Sequence, residues 1–326
     1  MDGKGKMKQY DATELFEPLA VKKKVLRNRI VMPPMVVNRD LTTRDAWQWY
    51  GRRAQGGVGL VIVEATDSIY FGAKYTAQSM RPLAQAIHDG GAVAAVQVFP
   101  GRRLDRFTPA QLTRDDIGRL LKQFRLAAEI CAAAGFDGIE PHGAHGYVLN
   151  QFFSPRQNER TDEYGGATLA GRMRLALEVL EAIRPIARQA DMVILYRHTP
   201  VGIDYGVEES MQLASALVQA GVDILDISPA SDAAPADRAA PFMQLGVPVI
   251  AVNQLDQVER ALEVIRQKRA TLVAVGRGLI ADPDWAIKVQ EGRVNDIVSC
   301  VRCDQCMADL RSGIHVGCPE WGVQSN

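Results

Sequence analysis

Two patterns of apolar residues alternate along this chain. Short runs rich in β-branched residues fall at 29–35, 59–66, 93–99, 138–142, 193–199, 223–228, 247–252 and 271–276. Between them lie longer stretches such as "DDIGRLLKQFRLAAEICAAAG", "GRMRLALEVLEAIRPIARQ" and "LDQVERALEVIRQ". There the apolar residues recur every three or four positions, the spacing that gives a helix one apolar face. Several short runs, "GLVIVEA" and "VPVIAV" among them, are almost wholly apolar. That suits parallel strands covered on both faces. Strand followed by helix, eight times over, predicts an α/β protein of the TIM type, an eightfold β/α barrel. An open doubly wound sheet fits less well, because no GxGxxG follows the first strand. The barrel count closes near residue 295, so 1–295 reads as one barrel domain and 296–326 as a short C-terminal extension.

Composition narrows the class. The 326 residues are 47% hydrophobic, enough for a large core, and 38 basic residues balance 38 acidic ones. Zero formal charge argues against a nucleic-acid or anionic-membrane surface as the main partner. No apolar run approaches the roughly 18 residues of a membrane span. The opening "MDGKGKMKQY" lacks the apolar stretch of a signal peptide. Four of the five cysteines crowd into "CVRCDQCMADLRSGIHVGC", at 300, 303, 306 and 318. Without an export signal this reads as a metal site in a reducing cytoplasm, not a disulfide framework. Iron–sulfur clusters and zinc both accept a four-cysteine set; three close cysteines and one distant one favour iron–sulfur. Cys131, in an apolar helix, reads as core.

A barrel carries its chemistry on the loops after the strands, and polar residues gather there. In "IEPHGAHGYVLNQ", His142 and His145 are three apart, with Gly143 and Gly146 allowing a tight turn. Two neutral imidazoles aimed at one oxygen polarise a carbonyl, each worth roughly 3–4 kcal/mol. A metal site at this pair lacks a nearby carboxylate. Tyr147 follows and can donate a proton. Arg197 in "LYRHT" is a permanent cation at a strand end. Gln97 is an amide inside an apolar strand, which needs a partner. Gly276 and Arg277 in "VGRGLIADPDW" precede a short helix at the eighth strand, where barrels often hold a phosphate.

These stretches, with "LRNRIVMPPM", "YGRRAQGGVGLVIVEAT" and "NERTDEYGG", resemble the old yellow enzyme family of FMN-dependent barrels. The resemblance implies that FMN lies across the barrel mouth, lined by Pro34, Met35, Ala65, Gln97, Arg197, Gly276 and Arg277. It implies that His142 and His145 hold a substrate oxygen and Tyr147 donates a proton, in the reduction of an activated C=C bond of an α,β-unsaturated carbonyl, acid or thioester. It further implies that Cys300, Cys303, Cys306 and Cys318 carry a [4Fe-4S] cluster, as in the subfamily of 2,4-dienoyl-CoA, enoate and bile-acid reductases and trimethylamine dehydrogenase. That subfamily continues into a half that binds FAD and NAD(P)H. For this chain that half is expected as a separate reductase partner, as a further part of a longer chain, or not at all if reductant reaches FMN directly; NAD(P)H is the expected ultimate reductant and a homo-oligomer the expected assembly. Amine dehydrogenases of the family carry tyrosine where this chain has His142; that activity and a pure electron-transfer role are the alternatives. Four positions depart from the pattern. Asn253 and Gln254 replace glycines at the phosphate, and Phe99 and Val36 make the flavin side more apolar. The loop "GRRLDRFTPAQ" is short, which predicts a small lid.

Overall fold

The computed structural model describes residues 10–101, 104, 107–230 and 236–321. Nearly all of the opening stretch expected to lack a signal peptide, and four of the eleven residues of the short lid, fall outside them. Eight parallel strands close into a barrel: β3 (Ile30–Met32), β4 (Leu60–Asp67), β5 (Val93–Phe99), β6 (Gly138–Gly143), β7 (Val193–His198), β8 (Ile224–Ile227), β9 (Val249–Ala251) and β10 (Leu272–Ala274), with β10 pairing back onto β3. The eight predicted runs are these eight strands. The first is shorter than expected, because Pro33 and Pro34 have no N–H for the ladder. Pro34 and Met35 therefore stand on the loop beyond β3.

Alternate residues of each strand serve two cores. Leu60 and Ile62 of β4 enter a small cluster inside the barrel, while Val61 and Val63 join the larger core beneath the helices. This is why the strands read as continuous apolar runs. One antiparallel hairpin was not foreseen. Its strands β1 (Leu19–Val21) and β2 (Lys24–Leu26) send Val21 and Leu26 into the inner cluster. The strands are three residues long and turn through Lys22 at φ 52°, with no glycine or asparagine to signal it.

The helices are α1 (Arg44–Gln55), α2 (Ala77–Asp89), α3 (Arg114–Ala134), α4 (Val148–Phe153), α5 (Leu169–Gln189), α6 (Val207–Ala220), α7 (Val258–Arg266), α8 (Arg277–Ala281), α9 (Trp285–Gln290) and α10 (Gln305–Arg311). Local chemistry sets their ends. Thr113 caps α3 by accepting from the Asp116 N–H at 3.1 Å, and Gly135 stops it at φ 94°. Cys131 is fully buried on the inner face of α3, as the periodicity implied. Among the described residues no helix is long and apolar enough to cross a membrane.

The C-terminal extension folds back over the barrel. Val316 N–H donates to the Val37 carbonyl at 3.1 Å. The Asn38 amide donates to the carbonyls of Leu310 and Ile314 at 3.0 and 2.9 Å. Trp321 lies against Trp49 of α1, ring centroids 5.9 Å apart, and donates to the carbonyls of Ile280 and Ala281. The extension is thereby fastened to the loop after β3, the loop that carries Pro34 and Met35.

Candidate active site

Strand register assembles the site. In the barrel Gln97 is opposite Glu140, His142 opposite Arg197, and Arg197 opposite Asp226. Four strands thus bring their polar residues together near their C-terminal ends, and each side chain faces a neighbour that the linear sequence hides.

His142 ends β6 and is buried. Its ring centroid is 5.3 Å from that of His145 and 4.9 Å from that of Tyr147, and Tyr147 meets Phe99 edge-on at 5.7 Å. His142 Nδ1 is buried with no hydrogen-bond partner. A buried ring nitrogen left unpaired is costly unless something fills the space beside it. Burial, reinforced by His145 and by the Arg197 cation, holds the His142 pKa well below the usual histidine range. His145 stands at the solvent edge of the mouth, with φ at 59°. Its backbone N–H donates to Thr199 Oγ1 at 2.9 Å. Its buried flank, followed by the Arg197 charge, brings its pKa down to about 3. Both imidazoles are therefore neutral at ordinary pH, the state in which a ring can donate one hydrogen bond and accept another.

Arg197 is buried and forked. Nη1 donates to Asp226 Oδ2 at 3.0 Å and Nη2 to Ser228 Oγ at 2.8 Å. Gln97 donates to Glu140 Oε1 at 2.7 Å, so its amide has a partner on the adjacent strand. Glu140 Oε2 and Asp226 Oδ1 are buried and unpaired. Burial, with the Asp226 charge added, pushes Glu140 well above the usual carboxylate range. Burial raises Asp226 too, against the pull of Arg197. With the guanidinium at 3.0 Å, Asp226 is the ionised member and Glu140 the protonated one.

A cavity of about 640 Å³ opens beside these residues, lined by Pro34, Met35, His145, Arg197, Ser228, Gly276 and Arg277 among others. Its size suits a bound cofactor. A Cβ at Gly276 would approach Met35 Sδ to 3.3 Å, so a side chain there would crowd the space. Asn253 and Gln254, expected to disturb a glycine-lined rim, keep left-handed backbones at φ 104° and 53°. The rim thus keeps a glycine-like path despite its side chains. Ala65 belongs to a second cavity of about 500 Å³, with Phe99 and Tyr147. Of the expected flavin-binding residues, Pro34, Met35, Arg197, Gly276 and Arg277 share the first cavity, Ala65 lines the second, and Gln97 lines neither.

Cys300, Cys303, Cys306 and Cys318 line one small pocket with Arg277 and Ile280. Burial raises the thiol pKa of both Cys306 and Cys318, as does the nearness of Cys300 and Cys303. Among the described residues no three His, Cys, Asp or Glu side chains converge as ligands of a metal ion. Arg277, Ile280, Arg302 and Cys306 belong to the cysteine pocket and the large cavity alike, so the two share a wall.

Comparison with known proteins now decides the family. The profile of the NADH:flavin oxidoreductase / NADH oxidase family matches residues 14–106 and 102–296. The chain belongs to this family. It is similar to the NADH oxidase of Thermoanaerobacter brockii, 34% identical over 89% of this chain and 52% of that protein. It also resembles the NADPH dehydrogenase of Clostridium acetobutylicum, 31% identical over 84% of this chain and 94% of that protein. The chain spans about half the length of the first of these. The solved old yellow enzyme homologue from Zymomonas mobilis superposes with a TM-score of 0.78 over 96% of this chain and 99% of that one, at 22% identity. The barrel and the old yellow enzyme resemblance are both borne out. Glu140, Asp226, Ser228 and Thr199 were not anticipated as site residues. A charged residue inside an otherwise apolar strand, as in "GIEPH" and "ILDIS", was the available signal.

Proposed function

We propose that this protein reduces the activated C=C bond of an α,β-unsaturated carbonyl, acid or thioester, with FMN bound in the large cavity and NAD(P)H as the reductant. The observation that carries this reading is the trio of rings at the mouth, His142, His145 and Tyr147, gathered within 5.3 Å of one another along His142, beside a cofactor-sized cavity. Pro34, Met35, Arg197, Gly276 and Arg277 would hold the flavin, with Ala65 and Gln97 at its margin. FMN, when bound, supplies hydride to the β-carbon of the substrate. His142 and His145, both neutral, donate hydrogen bonds to the carbonyl oxygen and stabilise the negative charge that grows there. Tyr147 delivers the balancing proton to the α-carbon. The buried Arg197 favours negative charge on whatever ring system lies against it. His142, where amine-oxidising relatives are expected to carry tyrosine, favours carbonyl chemistry.

Replacing Tyr147 with phenylalanine tests this. Reduction of an enone such as cyclohexenone falls by roughly a hundredfold or more, while NAD(P)H still bleaches the flavin. An unaltered turnover would remove Tyr147 from the reaction. Failure of the intact protein to reduce any enone, with methylated amines turned over instead, would transfer the site to the amine-oxidising reading.

The same proposal assigns Cys300, Cys303, Cys306 and Cys318 a [4Fe-4S] cluster. Soft thiolates suit iron–sulfur groups, and the four cysteines share one small pocket. Its wall in common with the large cavity supports electron relay between the two. Anaerobically purified protein is expected to be brown and iron-bearing, and Cys303→Ala to lose most of its iron and keep its flavin. Stoichiometric zinc in place of iron would refute the assignment. A separate reductase, a homo-oligomeric assembly and a cytoplasmic location complete the proposal.

A further inference from the structure

An unbroken set of hydrogen bonds joins the barrel interior to the ring at its mouth. Asp226 Oδ2 accepts from Arg197 Nη1, and Arg197 Nη2 donates to Ser228 Oγ at 2.8 Å. Ser228 Oγ in turn lies 2.9 Å from His145 Nε2. The ends of β7 and β8 and the loop after β6 contribute to it. We propose that Ser228 is a positioning residue, which selects the His145 tautomer carrying its proton on Nδ1. The catalytic meaning of this choice rests on reading His145 as a holder of the substrate oxygen.

The hydrogen-bond inventory at Ser228 selects the tautomer. A guanidinium has donors and no acceptor, so at the Arg197 contact the Ser228 oxygen must accept. The hydroxyl has a single hydrogen. Ser228 is buried, and the other group on its hydroxyl is His145 Nε2. If that hydrogen goes to Nε2, each of the three contacts pairs one donor with one acceptor: Arg197 donates to Asp226 and to Ser228, and Ser228 donates to His145. If Nε2 carried the proton instead, the hydroxyl hydrogen would be left in a buried place without an acceptor, an arrangement folded proteins avoid. The charged fork behind the hydroxyl polarises it and makes it a better donor. An Nε2 that accepts is bare, and a neutral ring then bears its proton on Nδ1. The low pKa of His145 supports the neutral ring.

The consequence is chemical. With Nε2 accepting from Ser228, Nδ1–H is the ring's one donor, and an oxyanion needs donors. The opposite tautomer would present a lone pair there and repel the growing charge. The Thr199 contact to the His145 backbone limits how far the residue can turn to compensate.

Two-bond proton–nitrogen correlation spectra of oxidised protein labelled in its five histidines test the inference, with the His145 signals assigned by their loss in His145→Asn. The two neutral tautomers give distinct patterns. The intact protein is expected to show Nδ1–H at His145, Ser228→Ala to show a mixture or Nε2–H, and Ser228→Thr, which keeps the hydroxyl, to restore the original. In parallel kcat for enone reduction falls on the order of tenfold to a hundredfold in Ser228→Ala and recovers in Ser228→Thr. An Nε2–H pattern in the intact protein, or one unmoved by Ser228→Ala, overturns the inference. The expected tautomer in a protein that reduces no enone leaves Ser228 its role and counts against the proposed function alone.

Discussion

On the proposed function, replacing His142 with alanine is expected to lower the rate of enone reduction by about two to three orders of magnitude, the usual loss when one preorganised donor to a developing oxyanion is removed. The flavin stays bound, because His142 is not among the residues that line the large cavity. His142→Asn keeps an N–H near the same place and recovers part of the rate. Steady-state kinetics at saturating substrate, with flavin absorbance as the control, checks both. An alanine variant at full rate would mean that the unpaired Nδ1 has another purpose. The pH dependence carries the same information. Burial holds both site histidines below their ordinary pKa, His145 at about 3. Between about pH 5 and 8 neither ring changes charge, so neither contributes a limb to the rate profile. A limb near pH 6.5 that disappears in His142→Asn would contradict the neutral donor.

The second large effect is on stability. Asp226 is the counter-charge to a buried arginine, and Asp226→Leu leaves that cation alone in the barrel. Removing one partner of a buried ion pair costs about 3–5 kcal/mol, a large part of the stability of an ordinary domain. Urea denaturation at pH 7 measures it as an earlier midpoint. Glu140→Gln behaves in the opposite way. Burial and Asp226 raise the Glu140 pKa well above its ordinary value, which favours the neutral acid, and glutamine is a near match for that form. The sign follows from proton linkage. A carboxyl whose folded pKa is raised binds more protons folded than unfolded, so stability falls as pH rises past about 4.5 toward the folded value. Glu140→Gln removes that slope and gains on the wild type as pH increases. Equal losses from the two substitutions would mean that both carboxylates are ionised.

The contrast between these residues explains what could be read in advance. His142, His145 and Tyr147 lie within six positions, and one loop suffices to bring them together. The cysteines are nearly as local. The eight strands were legible because each is an apolar run long enough to stand out from the helical spacing around it. The network of Gln97, Glu140, Arg197, Asp226 and Ser228 was not, since its members sit on four different strands. The pairing of Gln97 with Glu140 spans 43 positions and that of His145 with Ser228 spans 83. Such contacts follow from barrel register, and register becomes visible only once the cylinder has closed. The resemblance placed Gln97 at the flavin, and in the fold its amide donates to Glu140 Oε1.

One feature of the extension reaches further than its size suggests. Asn38 grips two of its carbonyls, and the loop bearing Asn38 also bears Pro34 and Met35. Whatever stiffens the cysteine segment therefore stiffens one side of the larger chamber. Linkage is reciprocal: any gain in affinity that a filled sulfur cage lends to the neighbouring ligand is returned by that ligand in equal measure. Stripping either occupant should loosen the hold on the other by the same factor.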